Sequence, residues 1–337
     1  MKMTLKIACY GVRSNEKDIF ESKNKYGYEL TLIKELLTEK NIETAKGHDA
    51  VLLRGNCVAN RRNLEKLKEW GINLIFTRTV GVDHIDLKAI KDLNQVVARV
   101  PGYSPNAIAE LAVTMAMNLL RNVPYTTERT AHHYDFRVLP RMFSREIRNC
   151  TVGIIGCGRI GVTEARLYQG LGARVIGYDI YQSDNAKSVV EFKDTLDELL
   201  AEADVVSLHV AYIKGENDRM INADFISKMK KDAILINTAR GEIQDNQAII
   251  DALKADKLYG FGTDVLPNER PIFFKTFDQL DAIPDQTVRE LIALYPRVLI
   301  TPHVGSNTDE AVKNMVETSM DNFHEYLQTG AVTNRVQ

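Results

Sequence analysis

Residues 151–179 read TVGIIGCGRIGVTEARLYQGLGARVIGYD, and this stretch decides the fold. A short, mostly apolar run leads into three closely spaced glycines, Gly156, Gly158 and Gly161. A segment of helical length follows them, and a second apolar run ends at Asp179. The order of strand, glycine turn, helix, strand and acid is typical of a βαβ unit.

The glycines and the acid each suit one part of a dinucleotide. Gly156 allows the tight turn out of the strand, Gly158 lets the backbone approach a pyrophosphate, and Gly161 lets the helix pack closely on the sheet. The N-terminus of that helix presents unpaired N–H groups to phosphate. Asp179, about 20 residues further on, can accept hydrogen bonds from ribose hydroxyls and would repel a 2′-phosphate. A plain glycine-rich loop is the alternative, but the combined pattern predicts NAD binding.

The composition limits the classes of protein to which the chain can belong. Its 337 residues suffice for two domains, and 43 basic side chains nearly balance 45 acidic ones, so the charge does not favour nucleic acid or an anionic membrane as a partner. The cysteines Cys9, Cys57, Cys150 and Cys157 form no CxxC pair, which favours free thiols in a reducing cytoplasm over disulfides or zinc. No apolar run approaches the roughly 20 residues that span a bilayer. We therefore expect a cytoplasmic protein without a membrane or nucleic-acid partner.

Short apolar runs alternate with amphipathic segments over the first hundred residues, which predicts parallel strands joined by crossover helices. The predicted strands are 6–10, 29–33, 50–54, 74–77 and 96–100. The same alternation resumes after Asp179 and ends in a long amphipathic helix over 308–329. The predicted architecture is α/β with two domains: a Rossmann-type, doubly wound NAD-binding domain at 102–300 inserted into a flavodoxin-like substrate domain formed by 1–101 and 301–337. The cleft between the domains is the expected active site.

A break at residues 101–105 (PGYSP) is followed by a helix that is apolar over much of its circumference. Ser104 can cap this helix, and Pro105 suits its first position. Apolar residues on more than one side predict that the helix also packs against a second copy of the chain, so we expect a homodimer. Further along, His132 and His133 would point about 100° apart on a helix and lack suitably spaced acidic or cysteine partners, so no metal site is predicted.

The carboxyl ends of the later strands should carry ligand contacts, because these ends meet at one edge of a parallel sheet. This rule selects the pair Val210-Ala211, the turn 238–240 and Asp264. The predicted cofactor contacts are Gly156, Gly158, Arg159, Ile160, Gly161, Asp179, Val210, Ala211, Asn217, Thr238, Ala239 and Asp264.

Three polar residues near the later strand ends meet the requirements of 2-oxo acid reduction. Arg240 can hold a carboxylate through two parallel hydrogen bonds. His303 can donate a proton to the carbonyl oxygen in reduction and accept it in oxidation. Glu269, hydrogen-bonded to that histidine, would favour the imidazolium and fix its orientation. Taken singly, each has an ordinary alternative (a surface ion pair, a packed histidine, a solvated loop carboxylate), but beside an NAD site they form one catalytic set.

Several blocks of sequence together resemble the D-2-hydroxyacid dehydrogenase family, in particular its D-lactate and D-2-hydroxyisocaproate dehydrogenase branch. The blocks are TVGVD and ID within 79–86, VPGYSPNAIAEL at 100–111, TVGIIGCGRIG at 151–161, DVVSLHV at 204–210, INTARGEI at 236–243, GTDVLPNE at 262–269 and ITPHVG at 300–305. They extend over nearly the whole chain. The resemblance implies an NAD-dependent oxidoreductase that reversibly reduces a 2-oxo acid to the (R)-2-hydroxy acid, usually as a dimer.

The resemblance also implies roles for individual residues. Arg240 would anchor the carboxylate and polarise the carbonyl, Glu269 would be the partner carboxylate, and His303 the acid/base group. Asp264 would face the carboxamide side of the nicotinamide. The implied substrate contacts are the loop of Val80, Gly81 and Val82, through its backbone N–H groups, and Tyr103.

The chain departs from the family's pattern at two places. Arg270 stands between Glu269 and Pro271, where many members have proline directly after the glutamate. Ala211 stands where proline usually follows the strand, in a loop that would touch the nicotinamide. These departures leave the loop geometry open but not the proposed chemistry.

Arg54 is the residue from which we predict the substrate. It follows the run AVLL at the strand end expected to face the cleft, where a guanidinium could pair with a second carboxylate. Because the two carboxylates must reach Arg240 and Arg54 at once, the first expectation is 2-oxoglutarate, reduced to (R)-2-hydroxyglutarate. If Arg54 is an ordinary surface arginine, the expected substrate is an apolar 2-oxo acid such as 2-oxoisocaproate or pyruvate. Arg78 and Arg141 are other candidate cations for the second carboxylate.

Two other functions are compatible with this fold. Relatives of the fold act as NAD-responsive transcriptional corepressors, but the sequence shows no long disordered flanks for recruiting partners. A formate dehydrogenase removes only a hydride from formate, so it has no use for the proton-transfer pair of Glu269 and His303. The sequence therefore favours a 2-oxo acid reductase over both.

Overall fold

The computed structural model describes residues 4–336, which form two compact α/β units. The first unit contains residues 4–104 and 307–336, and the second contains residues 105–306. Each unit has its own parallel sheet, so the predicted two-part α/β fold is confirmed. The predicted boundaries after residues 101 and 300 fall a few residues early. Pro105 opens a helix of the second unit, and residues 304 and 305 are hydrogen-bonded to Asp264 of that same unit.

The first unit is built on four parallel strands in the order β2-β1-β3-β4, which is the flavodoxin-like order. Its strands are β1 (Lys6–Tyr10), β2 (Glu29–Ile33), β3 (Ala50–Leu53) and β4 (Leu74–Thr77), and its helices are α1 (Lys17–Lys23), α2 (Arg61–Glu69), α3 (Leu87–Asp92) and α12 (Asp309–Thr329). The C-terminal helix α12 packs on this sheet, since the ring of Phe323 stacks on that of Phe76 at 4.4 Å.

The fifth strand predicted in this unit, at residues 96–100, is not a continuous strand. Its residues form isolated bridges, Val96 to Leu74 and Ala98 to Arg335. The segment lies beside β4, because Val96 and Ala98 accept hydrogen bonds from Ile75 and Thr77. Its other edge bonds to the C-terminal segment, where Arg99 N donates to the carbonyl of residue 334. The pairing is thus divided between two neighbours, so no continuous ladder forms.

The second unit is built on seven parallel strands in the order β7-β6-β5-β8-β9-β10-β11. The strands are β5 (Thr151–Ile155), β6 (Arg174–Tyr178), β7 (Glu191–Phe192), β8 (Val205–Leu208), β9 (Ala233–Asn237), β10 (Leu258–Thr263) and β11 (Val298–Ile300). The helices are α4 (Pro105–Leu120), α5 (Val123–His133), α6 (Arg159–Gly170), α7 (Asp184–Lys187), α8 (Leu196–Glu202), α9 (Ala223–Lys228), α10 (Asn246–Lys254) and α11 (Gln286–Ala293). The strand order reverses at β5, which pairs with both β6 and β8. In such sheets the ligand binds at the carboxyl ends of the strands on either side of this switch point.

Alternating side chains of β5 separate two apolar layers in this unit. Val152 and Ile154 belong to the layer that contains α4 and α6, whereas Ile155 belongs to the layer under α8 to α11. Gly153 faces the second layer, where a Cβ would lie 2.6 Å from a methyl group of Leu199. The close approach of α8 thus requires glycine here. Among residues 4–336, no helix is long and apolar enough to cross a membrane.

Candidate active site

The glycine turn after β5 has the geometry that a dinucleotide requires. Gly156 has a φ of +90°, and a Cβ on it would lie 2.8 Å from the carbonyl carbon of His209. A Cβ on Gly161 would lie 2.2 Å from the carbonyl oxygen of Gly156. By contrast, no described atom lies within 4 Å of the place that a Cβ on Gly158 would take, and α6 begins at the next residue, Arg159. The turn is closed toward the protein and open in front of the helix N-terminus, where a pyrophosphate would bind.

Two further features of the strand ends fit the rest of NAD. The carboxylate of Asp179, at the end of β6, is held beside the glycine turn, because its two oxygens accept hydrogen bonds from Cys157 N at 2.6 Å and Tyr181 N at 2.9 Å. Each carboxylate oxygen retains capacity to accept from a ribose hydroxyl. At the end of β9, the Oγ1 atom of Thr238 is buried and has no hydrogen-bond partner within residues 4–336. Since buried polar atoms are nearly always paired, this hydroxyl suits a ligand contact.

The loop after β8 is closed by Asn217. Its side-chain Nδ2 donates to the carbonyl of Ala211 at 2.8 Å, and its Oδ1 accepts from the N–H of Ile213 at 2.8 Å. Both ends of the amide therefore shape the loop that follows Val210. A direct contact of Asn217 with the cofactor stays a prediction.

Glu269 and His303 lie together at the carboxyl edge of the sheet. The Nδ1 atom of His303 is 2.7 Å from Oε1 of Glu269, and the two side chains are 38% and 15% exposed. This bond occupies one ring nitrogen and leaves Nε2 for proton exchange with a substrate. His303 has a φ of +55°, a left-handed conformation that is uncommon for a residue with a side chain and that the surrounding structure must impose.

Asp264 imposes the conformation of the loop that carries His303. Its carboxylate accepts hydrogen bonds from Thr301 Oγ1 at 2.5 Å and from the N–H groups of Val304 and Gly305, both at 2.8 Å. The side chain is buried, and burial raises the pKa of Asp264 above its usual value despite these three donors. The structure thus shows Asp264 as an anchor of this loop, while its predicted contact with the nicotinamide stays a prediction.

The turn that carries Arg240 is shaped by two residues that sequence reasoning missed. Asn237 accepts a hydrogen bond from Ala239 N at 3.0 Å through Oδ1 and donates from Nδ2 to the carbonyl of Arg240 at 3.0 Å. A Cβ on Gly241 would lie 2.0 Å from the carbonyl carbon of Leu266. The Arg240 turn therefore packs against the backbone of the segment that leads to Glu269. The signal in the sequence was the glycine directly after the arginine.

In the first unit, Arg54 lies in a cluster of charged side chains. Its Cδ would be 3.1 Å from a Cβ on Gly11. Burial, followed by the charges of Arg13 and Arg78, lowers the pKa of Arg54 to about 10. Arg78 is 2% exposed and donates to Glu16 at 3.0 Å and to the Gly11 carbonyl at 2.8 Å. This buried pairing contradicts the suggestion that Arg78 binds a second carboxylate, because its charge is already neutralised inside the unit.

The other predicted substrate residues of the first unit are held through their carbonyl groups. The carbonyl of Val80 accepts a hydrogen bond from Arg99 Nη1 at 3.2 Å, and that of Gly81 accepts one from Thr79 Oγ1 at 2.6 Å. The carbonyl of Val82 accepts from the N–H of Ile85 at 2.9 Å. The carbonyl of Tyr103 accepts from Asn314 Nδ2 at 2.6 Å. The loop conformation is thus fixed from its carbonyl side. Arg141, the remaining candidate cation, is exposed in the second unit and lies over the ring of Tyr125 at 4.9 Å.

A second glutamate–histidine pair, which the sequence analysis did not single out, lies under the glycine turn. Nε2 of His209, directly after β8, is 2.5 Å from Oε2 of Glu164 on α6. The signal was a glutamate on the face of α6 that also carries Gly161 and Ala165, both buried. Among residues 4–336 no cluster of acidic, histidine or cysteine side chains could hold a metal ion.

Comparisons with known proteins agree with this geometry. Residues 113–305, within the second unit, match the model of the D-isomer specific 2-hydroxyacid dehydrogenase NAD binding domain. The D-lactate dehydrogenase of Lactiplantibacillus plantarum is 40% identical over 335 residues, which cover 99% of each chain. An aromatic 2-oxoacid reductase of Clostridium sporogenes is 38% identical over 333 residues, covering 98% of this chain and 99% of that protein.

The solved structures include a close relative in complex with the cofactor. The D-isomer specific 2-hydroxyacid dehydrogenase of Lactobacillus delbrueckii ssp. bulgaricus, in its NAD-complexed form, superposes with a TM-score of 0.86. It is 34% identical, and the match covers 98% of this chain and 100% of that chain. The predicted resemblance and the predicted cofactor are thereby confirmed. The chain belongs to the family of NAD-dependent D-2-hydroxyacid dehydrogenases.

Proposed function

We propose that this 2-oxo acid reductase converts 2-oxoglutarate to (R)-2-hydroxyglutarate. The observation that carries the proposal is the charge around Arg54. Three arginines, Arg13, Arg54 and Arg78, lie around the single carboxylate of Glu16, and the pKa of Arg54 is lowered to about 10. Burial is the main cause of this lowered pKa, and the like charges of Arg13 and Arg78 add to it. The second carboxylate of 2-oxoglutarate, bound at Arg54, would pair with the guanidinium and favour its charged form.

The catalytic roles follow from the chemistry of the second unit. Bound NADH supplies the hydride that reaches the carbonyl carbon. Arg240 holds the 2-carboxylate and polarises the carbonyl group. His303 donates the proton from Nε2 to the carbonyl oxygen, and Glu269 holds the imidazole in orientation through Nδ1. The backbone N–H groups of the loop at Val80, Gly81 and Val82 and the side chain of Tyr103 complete the proposed substrate contacts.

The cofactor contacts are proposed at the carboxyl edge of the second sheet, so this unit is the NAD-binding domain and the first unit the substrate domain. The proposed contacts are Gly156, Gly158, Arg159, Ile160, Gly161, Asp179, Val210, Ala211, Asn217, Thr238, Ala239 and Asp264. The open front of the glycine turn and the unpaired hydroxyl of Thr238 support this assignment. All four cysteines are free and buried, which supports a reducing, cytoplasmic location.

A homodimer is proposed as the assembly. Helix α5 buries no side chain. In the segment after it, Tyr134, Phe136, Val138 and Phe143 are between 74% and 83% exposed. Apolar side chains concentrated in one exposed segment favour a second copy of the chain as the occupant. Size-exclusion chromatography with light scattering should give the mass of two chains, and Phe136→Asp combined with Phe143→Asp should give that of one.

The substrate proposal is tested by comparing kcat/KM for 2-oxoglutarate, 2-oxoisocaproate and pyruvate with NADH. Wild type should prefer 2-oxoglutarate, and Arg54→Ala should lower kcat/KM for that acid by about a hundredfold, because a charged hydrogen bond worth roughly 1.5–3 kcal/mol is lost. The values for the two monocarboxylic acids should change far less. Arg61→Ala, which removes an exposed arginine of the same unit paired with Asp92, is the matched control. An unchanged ratio in Arg54→Ala, or a wild-type preference for an apolar acid, contradicts the proposal.

Reduction of an apolar 2-oxo acid is the second candidate. The 40% identity with a D-lactate dehydrogenase supports pyruvate, and the aromatic 2-oxoacid reductase supports a larger side chain. The same kinetic comparison separates this candidate from the first. Turnover of NADH with any of these acids excludes a purely NAD-sensing corepressor.

A further inference from the structure

The pair of Glu164 and His209 is buried inside the second unit, away from solvent. The side chain of Glu164 is 0% exposed and that of His209 is 2% exposed, with Oε2 and Nε2 2.5 Å apart. The remaining polar atoms, Oε1 of Glu164 and Nδ1 of His209, have no hydrogen-bond partner within the described residues. Tyr168, one helical turn further along α6, likewise has a buried hydroxyl without a partner in the described chain. The side chains of Glu164 and His209 thus lie in the core with only part of their hydrogen-bonding capacity used.

Such a pair is a poor source of stability. Removing a carboxylate and an imidazole from water costs several kcal/mol, and well-packed apolar residues in the same place are often as stable or more stable. The two unpartnered atoms add to this cost. The pair therefore needs an explanation other than stability, and its place in the fold supplies one.

His209 connects the two halves of the cofactor site. Its backbone N–H donates to Ile155 O at 2.8 Å, which continues the pairing of β8 with β5 up to the glycine turn. Its carbonyl group lies against Gly156, where even a methyl group would not fit. The next residues, Val210 and Ala211, begin the loop proposed to contact the nicotinamide. The side chain of His209 is in turn bonded to α6, the helix whose N-terminus faces the pyrophosphate.

We infer that Glu164 is a positioning residue of the NAD site and acts through His209. The bond from α6 to His209 sets the distance between the helix N-terminus and the loop after β8. It thereby preorganises the site for both the pyrophosphate and the nicotinamide end of NADH. Loss of the bond lets the two halves move apart, and NADH must then restore their spacing when it binds.

The experiment compares two substitutions of Glu164 with a neighbouring control. Glu164→Leu removes the acceptor and should weaken NADH binding by about tenfold, a change of about 1.4 kcal/mol. Glu164→Gln keeps an oxygen that can accept from Nε2 and should bind within about threefold of wild type. Tyr168→Phe removes a polar atom from the same face of α6 without touching His209 and should bind NADH normally. Dissociation constants are measured by titrating NADH fluorescence, without any 2-oxo acid, so the result is independent of the proposed substrate.

Thermal stability and a double substitution distinguish positioning from a merely structural role. Glu164→Leu leaves the buried His209 ring without its acceptor and should melt below wild type, whereas the double variant with His209→Phe removes the whole pair and should melt at or above the wild-type temperature while it still binds NADH more weakly. His209→Phe should weaken binding to a similar degree, and the double variant should cost no more than either single one, since both changes break the same bond. The inference is overturned if Glu164→Leu binds NADH like wild type, if its weaker binding accompanies a fall in melting temperature that Glu164→Gln shares, or if the two changes are additive.

Discussion

Two glutamate–histidine pairs lie in the second unit, and each has its histidine just beyond the carboxyl end of a strand. His303 follows β11 and is 2.7 Å from Glu269, while His209 follows β8 and is 2.5 Å from Glu164. The first histidine is 38% exposed and the second 2%. The residue types and the distances are nearly the same, so exposure is the property that distinguishes the two pairs. A histidine that exchanges protons with a substrate must be reached by it, whereas a buried one can only hold other groups in place.

The two pairs also differ in how their histidines are held. Asp264 fixes the backbone that follows His303, so the His303 ring is held in place while it remains accessible. His209 is itself the support, because its backbone lies against Gly156 and its ring is bonded to α6. This contrast supports the proposed roles, proton transfer for Glu269 with His303 and positioning of the cofactor site for Glu164 with His209.

The largest effect is expected at the exposed histidine. His303→Gln removes the proposed proton donor, so kcat should fall by about a thousandfold, within the range of 10²–10⁴ typical of lost acid/base catalysis. The dissociation constant for NADH and the melting temperature should stay near wild type, because the ring is not part of a core. Steady-state kinetics and NADH titration check this. A His303 variant that mainly weakens NADH binding would erase the contrast between the pairs.

The next effect concerns a buried pair in the first unit, where Arg78 donates to Glu16 and both side chains are at most 2% exposed. Arg78→Met removes a charged donor from the buried Glu16 carboxylate, so the free energy of unfolding should fall by about 3 kcal/mol or more. Arg61→Met, which breaks an exposed pair with Asp92, should cost less than about 1 kcal/mol. Urea denaturation gives both values. Equal losses would show that burial is not what distinguishes these pairs.

Glutamine in place of each pair's glutamate sharpens the comparison most directly. Glu269→Gln preserves an acceptor for Nδ1 of His303 but removes the negative charge that stabilises an imidazolium during proton transfer, so kcat/KM should fall by about a hundredfold. The same change at Glu164 should leave kcat/KM within about threefold of wild type, because only the hydrogen bond is required there. Kinetics on the two variants, prepared in parallel, decide the point. Similar losses in both would contradict the division of roles.

The smallest effect is a dependence of stability on pH. Burial alone would raise the pKa of Glu16, but the charges and hydrogen bonds of Arg78 and Arg13 outweigh it and hold that pKa below its usual 4.5. Because the folded-state pKa is depressed, the carboxylate stabilises the fold above its unfolded pKa, and this contribution is lost as the pH falls through the folded value. Between pH 6 and pH 3, wild type should therefore lose more unfolding free energy than Glu16→Gln. Denaturation at the two pH values measures the difference, and equal losses would contradict the assignment.

Much of the fold was predictable because its signals lie in contiguous residues. The predicted bounds of four strands of the first unit match the observed bounds to within one residue. The glycine turn of the second unit lies between β5 and α6, as its pattern predicted. The segment at residues 96–100 was the exception. Its apolar composition is that of a strand, but its hydrogen bonds are shared between β4 and the C-terminal segment, and nothing local in the sequence shows such a division.

The site was predictable to the extent that its chemistry lies at strand ends. Strand order and known chemistry together selected Arg240, Glu269 and His303, and the bond between the last two is present. Sequence reasoning did not find Asn237 beneath the Arg240 turn, and it selected Asp264 as a cofactor contact without showing that this residue anchors the His303 loop. These residues matter because they hydrogen-bond to backbone groups of the loops. From the sequence alone, any polar residue in a loop could form such bonds, so the pattern does not show which ones do.

The amino-acid sequence by itself determined the order of the elements, the cofactor and the family, because strand alternation, glycine spacing and the acid after the second strand are local patterns. Only the tertiary structure decided which charged residues are buried. Arg78 and Arg54 look alike in the sequence, yet one is sealed against Glu16 and the other lies partly exposed among like charges. Glu164 and Glu269 are likewise the same residue type, although Glu164 is 0% exposed and Glu269 is 15% exposed. Desolvation depends on everything that packs around a side chain, including segments far away in the chain, and this is why burial separated residues that the sequence could not.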